Sequence, residues 1–266
     1  MFPEFVADSI GWRGMSDQRV ALVVGGARGI GAATSDAFVA SDHSVAIADL
    51  DRRASTELAE RLDPSGRRVL GLGVDVTDRE SVDTMIADVV TRFGRLDALV
   101  DCAGIIDPHP SADVTDEAWH RMLAVHLDGT FRCARAAFPA LAASGGGTIV
   151  NIASIAAHVG LPGRLSYTAA KGAIEAMTRT LAVEWAPAGI RVNAVAPGYT
   201  STELVQQAIG TGRLDIDELV SRVPLRRLAA PSEIASVILF LSTSASSFIT
   251  GQSIVADGGL IINASW

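Results

Sequence analysis

Tyr167 and Lys171 stand four residues apart in the run Ser166-Tyr167-Thr168-Ala169-Ala170-Lys171. On a helix that spacing puts a phenol and an ammonium on one face. An isolated tyrosine hydroxyl titrates near pH ~10, too high for easy proton exchange near neutrality. A fixed positive charge beside it favours the phenolate, which gives a usable general acid or base. Ser154 lies thirteen residues upstream, just after the apolar run Thr148-Ile149-Val150-Asn151-Ile152. A hydroxyl at the end of such a strand is placed to hydrogen-bond the same oxygen that Tyr167 protonates. A Tyr-x-x-x-Lys alone occurs by chance in many helices; a glycine-rich turn elsewhere in the chain gives it weight.

That turn is Val24-Gly25-Gly26-Ala27-Arg28-Gly29-Ile30-Gly31, between an apolar run and a helical stretch. Strand, glycine turn and helix in this order bring a helix N-terminus to a pyrophosphate, where free N–H groups and the helix dipole bind the anion. Glycine is needed where a Cβ would hold the phosphates away. The spacing is Gly-x-x-x-Gly-x-Gly, not the commoner Gly-x-Gly-x-x-Gly. Short β-branched runs at 20–24, 44–48, 68–74, 98–101, 148–152, 191–195 and 253–256 alternate with helical stretches opening near Ile30, Ala54, Asp78, Asp116, Tyr167 and Ser232. The alternation predicts an α/β fold: a doubly wound, seven-stranded parallel sheet in a three-layer α/β/α arrangement. Ligands of such sheets bind beyond the C-terminal strand ends, and Gly25, Asp49, Asp75, Asp101, Ser154 and Pro197 each fall at or just past the end of a predicted strand. Thr77 and Glu80 read as a capping box opening the third helix. One helix is expected from Asp116 to about Ala142.

Taken in order, these motifs resemble the short-chain dehydrogenase/reductase family, its compact single-domain branch, from about Asp17 to Leu260. The matching residues include Asp75-Val76, Asp101-Cys102-Ala103-Gly104, Asn151 to Ser154, and Pro197-Gly198-Tyr199-Thr200-Ser201-Thr202. The resemblance implies a Rossmann fold and a nicotinamide-dependent interconversion of a secondary alcohol and a ketone. Ser154, Tyr167 and Lys171 would act together, with Lys171 also bonding the nicotinamide ribose. The implied cofactor contacts are Gly25, Arg28, Gly29, Ile30 and Gly31 in the turn, then Asp49, Leu50, Asp75 and Val76. Cys102, Ala103 and Gly104 follow, and after Tyr167 and Lys171 come Pro197, Gly198, Thr200 and Thr202, at the carboxamide end.

Three positions depart from the family pattern. Val24 stands where a threonine often fastens the turn, a loss of ~1 kcal/mol with no change in function. Asp101-Cys102 replaces an Asn-Asn pair; Asp101 can accept backbone N–H bonds instead. His126 occupies the place of an asparagine that holds a water between lysine and tyrosine. It shares a helical stripe with Trp119, Leu123 and Thr130 and should face inward, either as a fourth catalytic member or as a hydrogen-bonded core histidine. As a relay, an imidazole of pKa near ~6.5 would make the reaction sensitive to pH.

Charge argues for NAD, with NADP as the other possibility. Asp49 ends Val45-Ala46-Ile47-Ala48-Asp49, about 20 residues past the turn, where a carboxylate accepts bonds from the adenosine ribose and repels a 2′-phosphate. Arg28 pulls the other way, since it could pair with that phosphate.

With 266 residues, 48% of them hydrophobic, the chain can bury one substantial core. A single domain is expected over 17–266, preceded by an extension at 1–16. A net charge of −8 argues against nucleic-acid or membrane-surface binding, and no apolar run approaches the ~20 residues of a membrane span. The start lacks the pattern of a signal peptide, and Cys102 and Cys133 suit reduced thiols in a cytoplasmic protein. No metal-ligand spacing is present. A substrate lid is expected near 201–226, with Glu203, Gln206, Gln207, Arg213 and Arg222, and pocket candidates are Ile105, Ile106, His109, Ala156, His158 and Arg164. Apolar stripes with Phe131, Phe138, Met177 and Trp185 predict a homodimer or homotetramer. The leading expectation is an NAD-preferring dehydrogenase of a small soluble alcohol. The alternatives are an NADPH-dependent reductase of 3-oxoacyl thioesters or other ketones, and a catalytically silent dinucleotide-binding protein.

Overall fold

The computed structural model describes residues 18–212 and 215–263, so the N-terminal extension, Arg213 and the last three residues lie outside the described residues. Among the described residues seven strands form one parallel sheet: β1 (Val20–Val24), β2 (Ser44–Asp49), β3 (Val69–Gly73), β4 (Ala98–Asp101), β5 (Gly147–Ile152), β6 (Ile190–Pro197) and β7 (Ser253–Ala256). Their spatial order is β3-β2-β1-β4-β5-β6-β7, and every pairing is parallel.

The strands read as continuous apolar runs because both faces are covered. On β1, Leu22 and Val24 pack toward α3 (Arg79–Phe93), α5 (Gly129–Ala143) and α6 (Leu165–Trp185). Ala21 and Val23 point the other way, toward Phe38 of α1 (Gly29–Ala40), Leu58 of α2 (Arg52–Leu62) and Ile238 of α9 (Pro231–Leu241). This is the expected three-layer arrangement, and each large apolar side chain fully buried in it contributes roughly 1.5–3 kcal/mol. No helix among the described residues is long and apolar enough to cross a membrane.

Two local expectations are corrected. Asp78, not Thr77, caps α3 by accepting the Glu80 N–H at 3.0 Å; the Thr77 hydroxyl turns back to Asp75 Oδ1 at 2.7 Å. Asp78 takes the cap because it sits directly before the first helical residue. The long helix from Asp116 is broken into α4 (Asp116–Leu123) and α5 by a π turn over Ala124–Asp128. Such a turn inserts a residue into the helical register and is common at functional sites. It holds His126.

Arg191 of β6 ties the sheet to the end of α9, donating to the carbonyls of Leu241 (2.9 Å), Thr243 (3.0 Å) and Ile249 (3.1 Å). Arg191→Met keeps the stem and strands three carbonyls, so a loss of about 2–3 kcal/mol is expected in urea unfolding. An unchanged midpoint would mean that water replaces the guanidinium at no cost.

Candidate active site

The strand order reverses between β1 and β4, which opens a crevice beyond their C-terminal ends. Gly25 follows β1 with φ +65°, and a Cβ there would lie 2.7 Å from the Ala103 nitrogen in the run after β4. A Cβ on Gly31 would run into the Gly25 carbonyl. These two glycines are therefore required by the protein's own backbone packing, before any phosphate is considered. Gly29, at φ +53°, faces Thr202, whose Cγ2 would be 3.2 Å from an added Cβ. Thr202 caps α7 (Glu203–Gly210), so the segment after β6 lies over the turn. No side chain caps α1 and no acid occupies its first turn, which leaves its leading N–H groups available to an anion. A glycine cradle beneath an uncapped helix start fits a pyrophosphate.

At the far end of the crevice, Asp49 closes β2. Its Oδ2 accepts the Ala27 N–H at 3.2 Å and its Oδ1 the Asp51 N–H at 3.1 Å. Arg28 reaches Asp51 at 2.7 Å, so its charge is already matched by a carboxylate. Leu50 between the two acids is 77% exposed. Asp75 holds Thr77 in the turn after β3, Val76 enters the core, and Ile30 packs partly against the α1 layer. Pro197 ends β6, Gly198 presses against Asp257, and the Thr200 hydroxyl bonds the Gly198 carbonyl at 3.2 Å.

The reactive groups gather where β4, β5 and α6 meet. Ser154 follows β5 as the cap of a short turn, Ile155–Ala157, accepting the Ala156 N–H at 3.1 Å. Lys171 is only 3% exposed and donates to the Ile152 carbonyl at 2.6 Å. Its ammonium lies 5.6 Å from the Tyr167 ring centre. Burial lowers its pKa to about 8, against a pull from Asp101. Asp101 is 3% exposed; its Oδ1 accepts the Ala103 N–H at 3.0 Å, as expected, while Oδ2 is buried with no partner.

The tyrosine differs from expectation. Burial raises the Tyr167 pKa, with the Ser154 hydroxyl and then the Arg164 charge acting against it. Lys171 is spent on Ile152 and Asp101, so desolvation wins over its field in the protein alone. His126 faces inward as predicted, 2% exposed and edge-on to Tyr167 with ring centres 5.3 Å apart. Its Nε2 sits 3.0 Å from the Ile105 nitrogen and 2.8 Å from the Ile105 carbonyl oxygen, using one or the other by tautomer, and Nδ1 is buried without a partner. Burial, with Lys171 adding to it, lowers its pKa to about 3. The expected pH-sensitive relay is therefore corrected: the imidazole is neutral across the working range.

The comparisons agree with this geometry. A family model described as enoyl-(acyl carrier protein) reductase matches residues 25–261. The chain belongs to the short-chain dehydrogenase/reductase family. It is 40% identical to the cis-4-hydroxycyclohexanecarboxylate dehydrogenase of Sinomonas cyclohexanicum, over 91% of this chain and 96% of that one. It is 35% identical to the NAD-dependent glycerol dehydrogenase of Listeria innocua, over 92% and 94%. A solved structure titled "ElxO with NADP Bound" superposes with a TM-score of 0.86 at 32% identity, covering 92% of this chain and all of the other. This short-chain dehydrogenase/reductase is thus an oxidoreductase of CH–OH groups, interconverting secondary alcohols and ketones with NAD or NADP.

Other sequence expectations scatter. In the expected lid segment, α7 is followed by α8 (Ile216–Arg222), with Arg222 paired to Glu218. His109 pairs with Asp107 at 2.9 Å in its turn. His158, a pocket candidate, instead meets Glu175, which the sequence reading passed over although it lies one turn beyond Lys171 on the same stripe. A cavity of about 530 Å³ lined by Tyr199, Leu225, Ile234 and Val255 includes none of Ser154, Tyr167 and Lys171; the polar cluster is the better guide to the chemistry. Phe138 and Trp185 meet at a tilt with ring centres 5.0 Å apart and, with Met177, pack against their own core, so of the four apolar residues assigned to a neighbour only Phe131 is exposed. Among the described residues no group of three or more His, Cys, Asp or Glu could hold a metal ion.

Because folding lowers the Lys171 pKa, the unfolded chain holds that proton more tightly, and stability is penalised below about pH 8 and recovers as pH rises toward the unfolded value. Lys171→Met should therefore stabilise the protein at pH 7 by about 1–2 kcal/mol, after subtracting the lost Ile152 bond, and the gain should vanish above pH ~10.5. Thermal melts across pH check both the sign and the window. The neutral imidazole gives a second expectation: His126→Asn leaves the pH–rate profile between pH ~5 and ~9 without a lost inflection. An inflection that disappears in this variant would return His126 to the proton path.

Proposed function

We propose that this enzyme is an NAD-preferring dehydrogenase of a small secondary alcohol, with Tyr167 as its general acid and base. The observation that carries the reading is the gathering of buried Ser154 and Lys171 around the half-buried Tyr167 at one end of a crevice whose other end is Asp49. When bound, the nicotinamide accepts or supplies the hydride. In the oxidative direction Tyr167 Oη takes the alcohol proton. Ser154 Oγ–H donates to the developing oxygen charge, a contribution of ~2–4 kcal/mol. Lys171 holds positive charge beside the phenolate as it forms and, as the family resemblance implies, bonds the cofactor ribose. Arg164, whose charge reaches Tyr167, has no ionic partner among the described residues and suits an alcohol that also carries an acid group.

Cofactor choice rests on Asp49 and on the Arg28–Asp51 pair. A 2′-phosphate would meet two carboxylates and an arginine already engaged. Exposed Leu50 offers an apolar face to adenine. The NADP-bound relative favours the second reading, an NADPH-dependent ketone reductase. The intact serine, tyrosine and lysine argue against a silent binding protein. Residues 17–266 act as one domain, with α7 and α8 as a lid over the substrate. Free Cys102 and Cys133 and exposed Phe131 support a cytoplasmic homo-oligomer.

Reduction of NAD and NADP is measured with hydroxycyclohexanecarboxylates, polyols and hydroxyacyl thioesters. Turnover with NAD on an alcohol is expected, and Tyr167→Phe should cut kcat by roughly 10²–10⁴-fold. Asp49→Ala should erode the NAD preference by ~10-fold or more. Better turnover of wild type with NADPH on thioesters would favour the second reading instead.

A further inference from the structure

Tyr167, Lys171 and Glu175 occupy successive turns of one stripe of α6. The first meets the Ser154 hydroxyl and the second the Ile152 carbonyl. Glu175 is 8% exposed, and its Oε1 lies 2.9 Å from His158 Nε2 while accepting the Ser253 hydroxyl at 2.5 Å. A carboxylate this deep in the protein is costly unless such partners are fixed in place. Ser253 belongs to β7 and His158 to the segment after β5, so this one side chain joins the helix, the last strand and the serine segment.

His158 closes the same turn that Ser154 opens. The Ala157 N–H donates to the Ser154 carbonyl at 2.9 Å, and the His158 and Val159 N–H groups donate to the Ile155 carbonyl at 2.9 and 3.0 Å. Ile155 and Ala156 between them are buried. These backbone bonds tie the His158 end of the turn to its Ser154 end. Glu175 itself does not touch the reacting groups.

We propose that Glu175, acting through His158, is a positioning residue that fixes the Ser154 hydroxyl relative to Tyr167. The proposal rests on the dehydrogenase reading for its kinetic consequence. A hydroxyl displaced by about an ångström loses much of its effect on a transition state, so a large change in turnover is expected from a residue outside the reaction.

The test compares Glu175→Leu, which removes both contacts, with Glu175→Gln, which keeps an acceptor oxygen. Glu175→Leu should lower kcat by ~10-fold or more with NADH affinity unchanged, and Glu175→Gln should restore most of it. In a Ser154→Ala background Glu175→Leu should change kcat less than ~2-fold, because the hydroxyl it positions is gone. An equal loss in that background, or full activity of Glu175→Leu alone, overturns the proposal. If Glu175→Leu does not fold, His158→Leu breaks the same link from the other end and carries the same expectations. Amide hydrogen exchange over residues 154–158 reads the link without catalysis: it should quicken in the leucine variants, and unchanged exchange overturns the link. A Ser154→Ala enzyme as active as wild type, with exchange still quickened by Glu175→Leu, would instead defeat the serine's assigned role and leave the link standing.

Discussion

The active-site end of the molecule depends on keeping one ammonium buried. Lys171 sits among β4, β5 and α6 with a carbonyl of Ile152 as its near partner and the Asp101 carboxylate as its counter-charge. Desolvating a cation favours its neutral form, so the surrounding groups must offset most of that cost for it to carry charge near neutrality. β5 supplies the carbonyl because its ladder ends at Ile152, and α6 supplies the long stem at the right turn. The phenol of Tyr167 is desolvated by the same packing, which holds its proton tightly until something in the crevice draws it off. Stability is sacrificed locally, as is usual where a site must be strained to work.

The chain's departures from its family pattern are mutually adjusted around that charge. Asp101 brings a carboxylate to a place where an amide would be neutral; burial raises its pKa, and the Ala103 N–H and the Lys171 charge act against that rise. The π turn presents His126 with its ring against Gly104, where an added Cβ would clash with the imidazole. The Thr130 hydroxyl also bonds the His126 carbonyl at 2.6 Å, locking the turn. Asp101 Oδ2 and His126 Nδ1, both without partners, are the polar atoms this arrangement leaves over.

At the dinucleotide end the controlling effect is sign of charge. Asp49 and Asp51 are fixed by the backbone N–H groups they accept, and Arg28 is drawn to Asp51 rather than held over the ribose position. An exposed ion pair of this kind contributes little stability, but it gives Arg28 a carboxylate partner in place of a 2′-phosphate.

Much of this was legible in the sequence. The seven strands, their C-terminal edge and the places of Ser154, Tyr167 and Lys171 follow from periodicities that depend on near neighbours alone. So does the inward face of His126. Protonation was not legible, because the Tyr167 and His126 shifts come from burial by distant elements that no spacing reveals. The π turn escaped because α4 and α5 share one amphipathic pattern until packing forces the extra residue. The reason for Gly25 changed as well, since its crowding by Ala103 exists only once β1 and β4 are adjacent. Sequence determined which residues face the crevice; the folded packing decided their charge, their partners and which of them, like Glu175, act from behind it.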